Sequence, residues 1–110
     1  MTWDIEYHSE KLQLEILALP AGILARYFKC TDRMLEFGPD LGMPHTRAMS
    51  GGLFELRLKA SEGMVRVFYG VVIGKKIIML HQFVKKTDKT PLKELAIARK
   101  RLKEWKDVDA

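Results

Sequence analysis

The sequence predicts an α+β protein in which residues 1–110 form one domain, with element order β-αα-βββ-α: an antiparallel sheet, an N-terminal helical hairpin and a C-terminal helix. Three observations carry that reading. Apolar residues recur at spacings of three and four in the first third and again at the C-terminal end. Between residues 53 and 84 the apolar period changes to two, or becomes continuous, over three short runs. Proline, glycine and a Thr-Pro step mark the joints between these segments.

Each element has its own justification. Trp3, Ile5 and Tyr7 alternate with Asp4 and Glu6, which suits a first strand with one apolar face. Residues 9–19 fit two periods, because Leu12, Leu14 and Ile16 alternate while Leu12, Ile16 and Leu19 form a helical stripe. The leucine-rich composition favours helix. Pro20-Ala21-Gly22 interrupts it, and Ile23, Tyr27, Cys30, Met34 and Phe37 then line one side of a second helix. Gly38 and Pro39 stop that helix, and residues 38–52 read as a loop.

Three strands follow. Over 53–59, Phe54, Leu56 and Leu58 oppose Glu55, Arg57 and Lys59. Over 64–72, Val65, Val67, Tyr69 and Val71 alternate with Arg66, Phe68 and Gly70. Gly74-Lys75 makes a tight turn into 76–84, where Ile77 to Leu80 run without a polar break, as in a strand buried on both faces. Thr90 and Pro91 open the last helix as N-cap and first residue, with Leu92, Leu95, Ala98, Leu102 and Trp105 as its buried stripe.

Composition narrows the function. The net charge of +5 is unevenly placed: residues 1–40 carry −3, residues 41–84 carry +4 and residues 85–110 carry +4. Basic residues gathered in the later segments suit a polyanionic partner. The single Cys30 has no intramolecular disulfide partner, and no apolar run has the length of a membrane span, so a cytoplasmic location with no membrane partner is expected. His8, His45 and His81 are scattered and there is no cysteine pair, so no metal site is predicted. Neither GxxxxGK[ST] nor GxGxxG occurs, and no cofactor is implied. Cys30 lies on an apolar helix stripe, where a thiol stays protonated and a poor nucleophile.

The candidate chemistry lies between residues 55 and 86. Alternation puts Arg57 and Lys59 on one strand face, and simple hairpin pairing adds Arg66. His81 and Phe83 share a face of the next strand, whose end carries Lys85 and Lys86. An apolar sheet side under the helices would leave Glu55, Arg57, Lys59, Arg66 and His81 on the opposite, open side. Such a set suits metal-independent RNA cleavage, in which a 2′-hydroxyl attacks the adjacent phosphate. Guanidinium forks and ammonium groups stabilise the charge that develops on phosphorus oxygens. Glu55 or His81 can accept or return a proton, and Phe83 can stack on a base. Each residue also has a plain structural use: a surface ion pair for Arg57 and Glu55, a core position for Phe83, a solvated loop for Lys85 and Lys86.

Gly52-Leu53-Phe54-Glu55-Leu56-Arg57, Arg66-Val67-Phe68-Tyr69, Leu80-His81-Gln82-Phe83-Val84-Lys85-Lys86-Thr87 and Lys89-Thr90-Pro91 together resemble the RelE/HigB-like toxins of type II toxin–antitoxin systems, in particular their phage-associated HigB-like branch. The resemblance implies a RelE-like fold and a ribosome-dependent mRNA interferase that stops translation. It also implies a helix-turn-helix antitoxin as partner, with a toxin–antitoxin hetero-oligomer as the resting form. Arg57, Arg66, His81 and Lys85 would then be the catalytic set, with Glu55, Lys59, Phe83 and Lys86 binding RNA. Two positions depart from the pattern: the last helix offers Trp105 rather than a tyrosine, and Gln82 stands where glycine is more usual. ParE-like toxins that poison DNA gyrase share the fold, and an inactive nucleic-acid- or antitoxin-binding module is the third alternative.

Overall fold

A computed structural model describes residues 2–109. The elements are β1 (Asp4–Tyr7), α1 (Glu10–Leu17), α2 (Ala21–Phe37), β2 (Thr46–Ala48), β3 (Leu53–Ala60), β4 (Gly63–Val72), β5 (Lys76–Val84) and α3 (Leu92–Asp109). They form the α+β architecture expected, around a five-stranded sheet of order β1-β5-β4-β3-β2.

Two features of the sheet differ from the sequence reading. β1 runs parallel to β5, pairing Ile5 with Ile77 and Tyr7 with Met79, so the sheet is mixed. A parallel partner requires a long crossover, and the helical hairpin with strands β2–β4 supplies it. Second, the segment read as loop contains β2, whose three residues pair antiparallel with β3 from Phe54 to Leu56. Three residues flanked by Gly42, Pro44 and Gly51 leave too little alternation to be seen in advance.

Alternation divides the sheet's side chains between two cores. On one face Leu56, Leu58, Val65, Val67, Tyr69, Ile77 and Met79 pack under α1 and α2, against Leu12, Ile16, Ile23, Tyr27, Cys30 and Met34. On the other, Leu53, Phe68, Val72, Ile78, Leu80 and Phe83 pack against Ala98 and Leu102 of α3. Ile77 to Leu80 are fully buried, because β5 lies between strands and between layers. The second face is therefore not open, as the sequence suggested; α3 covers part of it. Leu92 is 81 % exposed and does not belong to the stripe of α3. Its place is taken by polar anchoring, in which Arg101 donates to the Leu80 carbonyl at 2.7 Å and Trp105 Nε1 to His8 Nδ1 at 3.2 Å.

Turn chemistry fixes the strand register. Gly74 and Lys75 both have positive φ, 89° and 59°, which gives the β4–β5 hairpin the twist its strands need. Near the other end of that hairpin, a bulge between Phe68 and Tyr69 lets Phe68 face His81 while Tyr69 faces Met79.

Candidate active site

The β3–β4 ladder pairs Glu55 with Phe68, Arg57 with Arg66, and Lys59 with Met64. Directly paired residues project to the same side, with Cβ atoms about 4.5–5.5 Å apart. Arg57 and Arg66 are thus immediate cross-strand neighbours. Across the next ladder Arg66 faces Phe83 and Phe68 faces His81. Most of the predicted set shares this region of the sheet, but the members differ sharply in exposure.

The β2–β3 ladder ends one rung past Leu56, where the Arg57 N–H donates to the His45 carbonyl at 2.9 Å, and a recess of about 340 Å³ opens there. Arg26, Cys30, Pro44, His45, Arg57, Lys59, Met64 and Arg66 line it. Five of the eight are basic residue types and none is acidic, so the recess is built for an anion. α2 supplies one wall through Arg26 and Cys30. That helix begins after Pro20, which offers no side-chain cap, and Glu62 of the β3–β4 turn compensates by accepting the Gly22 N–H at 2.8 Å. The carboxylate at the positive end of the helix ties α2 to the same hairpin that carries the arginines. Cys30 is buried, and burial pushes its thiol up, as its place on the apolar stripe suggested.

Arg66 is only 4 % exposed, yet it reaches the recess. Glu55 lies beneath it at 1 % exposed, Oε1 standing 3.9 Å from Arg66 Nε. Neither of those two atoms has a hydrogen-bond partner, while Glu55 Oε2 accepts from Thr90 Oγ1 at 3.2 Å. Burial lowers the Arg66 guanidinium from its ordinary value, Arg57 adds to that, and Glu55 opposes both. The group nonetheless stays charged at neutral pH. Glu55, expected on an open face, is instead a buried counter-ion that sets the position of Arg66. Thr90, expected to cap α3, spends its hydroxyl on Glu55, and the helix starts at Leu92.

His81 sits apart from the recess. Its Nε2 pairs with Glu94 Oε2 from the first turn of α3, so the start of that helix meets the sheet through a carboxylate and an imidazole. Glu94 carried no sequence signal beyond being an acid near a helix start. Phe83, expected to stack on a base, is 8 % exposed and packs on Phe68 and beside His81. Lys85 is half-buried, and its N–H bonds the Met64 carbonyl at 2.8 Å, next to the recess; Lys59 and Lys86 are exposed. Tyr69 is fully buried, with its hydroxyl donated to the Pro39 carbonyl at 2.5 Å.

Comparison with known proteins agrees with this architecture. Residues 14–103 match the family described as phage derived protein Gp49-like (DUF891), and the chain belongs to that family. Its fold is that of RelE toxins. A free-state structure of the E. coli toxin RelE, carrying two arginine-to-alanine changes, superposes with a TM-score of 0.65 at 16% identity, covering 93% of this chain and 99% of that one. An archaeal RelE–RelB complex from Pyrococcus horikoshii OT3 matches with a TM-score of 0.55 at 18% identity, covering 76% of this chain and 96% of that one. No curated protein sequence matches.

Proposed function

We propose that this chain is the toxin of a toxin–antitoxin pair, an endoribonuclease that cuts mRNA on the ribosome without a metal. The observation that carries this reading is the pairing of Arg57 with Arg66 across β3 and β4, both lining one recess that no acid enters. Two guanidinium groups on adjacent strands can bind the two nonbridging oxygens of a single phosphodiester. They stabilise the charge those oxygens gain when the neighbouring 2′-hydroxyl attacks. Glu55 holds Arg66 in place from below, and Lys59, Lys85 and Lys86 meet the flanking phosphates. His81, oriented by Glu94, transfers a proton, since a carboxylate on one ring nitrogen supports the imidazolium as it forms. Phe83 packs under the site and does not stack on a base.

The fold shared with a toxin solved in complex with its partner supports an antitoxin as the resting partner here. We take that partner to be a helix-turn-helix protein that covers the recess, giving a toxin–antitoxin hetero-oligomer in the cytoplasm.

Inducing the wild type, Arg57→Ala and Arg66→Ala in bacterial cells and mapping mRNA 5′ ends tests the reading. Codon-phased cuts that disappear in both variants are the expected result. Growth arrest with intact message and broken chromosomes would instead assign the fold to gyrase poisoning.

A further inference from the structure

We infer that His45 takes the 2′-hydroxyl proton in the cleavage step, from inside the recess that holds the arginine pair; this rests on the ribonuclease reading above. In-line displacement places the attacking and the leaving oxygen on opposite sides of phosphorus. His81 lies outside the recess, so the acceptor of the 2′ proton is sought among the residues that line it.

His45 is the imidazole among them. Thr46 pairs with Leu56, and the Arg57 N–H donates to the His45 carbonyl at 2.9 Å, which extends the β2–β3 ladder by one rung. His45 therefore stands beside Arg57 as Arg57 stands beside Arg66, in a lateral row that crosses the sheet to Phe83. It is half-buried and lines the recess with both arginines, which His81 does not. Its segment is held by hydrogen bonds from the His45 and Thr46 N–H groups to the Gly42 carbonyl at 3.1 and 3.0 Å, and from the Gly42 N–H to Thr46 Oγ1 at 2.9 Å.

Spacing and charge agree with a division of labour. β2 and β5 are three interstrand steps apart, about 14 Å. His81 lies two residues along β5 from the Phe83 end of that row and approaches the leaving-group side from outside the recess. His45 shares the recess wall with Arg26, Arg57, Lys59 and Arg66, and it is the neutral-capable proton acceptor among those cationic side chains. It serves as the acceptor. His81 has Glu94 on Nε2, which leaves Nδ1 as the nitrogen for proton transfer. His45 removes the 2′ proton as the O2′–P bond forms. His81 delivers a proton to O5′ as the P–O5′ bond breaks. The products are a 2′,3′-cyclic phosphate and a 5′-hydroxyl end, and solvent resets the two rings.

The test is single-turnover cleavage of ribosome-bound mRNA by wild type, His45→Ala, His45→Gln and His81→Ala, on substrates with either oxygen or sulfur as the 5′ leaving atom. Both His45 variants should cut at least about 100-fold more slowly, with RNA affinity within about threefold and an unchanged melting temperature. Sulfur leaves without protonation, so it should restore His81→Ala and not His45→Ala. Added imidazole should partly rescue His45→Ala. His45→Ala cutting at the wild-type rate, or its rescue by the sulfur substrate, overturns this assignment while leaving the nuclease intact. A wild type that leaves the message uncut overturns both.

Discussion

Arg57 and Arg66 are neighbours of the same chemical type placed in opposite circumstances. Arg57 is half-exposed, its guanidinium reaching Met43 Sδ at 3.9 Å, whereas Arg66 is buried on Glu55. Neutralising one member of a buried pair leaves an uncompensated charge and costs about 3–5 kcal/mol, while exposed positions away from such pairs usually change stability by less than about 0.5 kcal/mol. Glu55→Gln should therefore lower the urea midpoint by an amount equivalent to roughly 3 kcal/mol, and Arg57→Ala should barely move it. Equal midpoints for the two variants would mean that Glu55 is not the counter-ion that fixes Arg66. The contrast also separates roles, because under the proposed function Arg57→Ala should remove activity from a stable protein. Alternation in the sequence placed Glu55, Arg57 and Arg66 on one face correctly; it carried no information about depth. Depth comes from Thr90 and the start of α3, thirty-five residues away in the chain.

At the scale of elements, α2 walls the recess and α3 sets the limit of the covered sheet beside it. α3 closes over Phe68, Leu80 and Phe83 and stops short of Arg57, leaving the arginines at the border between covered and open sheet. Its close seating depends on Gly70, where an added Cβ would lie 2.5 Å from Leu102 Cδ1. No unusual φ is involved, so the glycine is there for space. Gly70→Ala should overpack the α3 interface by about 1–3 kcal/mol, lowering the melting temperature by several degrees and speeding amide exchange in α3 more than in α2. Uniform acceleration across both helices would show that the contact has no local effect.

The same element explains which parts of the molecule were legible. α2, β3 and β4 each carry a clean period and β5 a continuous apolar run, and their bounds follow within a residue or two. β2 has three residues, and the parallel pairing of β1 depends on which sheet edge the crossover reaches; neither is encoded in a local pattern. Arg57 and Arg66 could be placed on one face from alternation together with simple hairpin pairing. Arg26, His45 and Glu94 could not, because each comes from a different element and meets the site only after folding.

For the whole molecule, the uneven charge becomes a spatial arrangement. The acid-rich first forty residues supply β1, α1 and α2, while the basic remainder supplies the strands of the site and α3. Arg26 is an exception, a cation that α2 contributes to the recess wall. A polyanion approaching this chain is drawn to the β3 edge and meets cations from three elements there. Binding of single-stranded RNA should then weaken steeply with salt, by about 0.7 log units per log unit of salt for each phosphate neutralised. With Arg57, Lys59, Arg66 and one of the β5-end lysines engaged, the log–log slope should lie near −3. Lys59→Ala should make it shallower by about 0.7 while changing affinity alike for all sequences, since a phosphate contact reads no base. Titrations at a series of potassium concentrations measure both quantities. A slope near zero would mean that the recess takes a neutral or small ligand, and the arginine pair would need a different substrate.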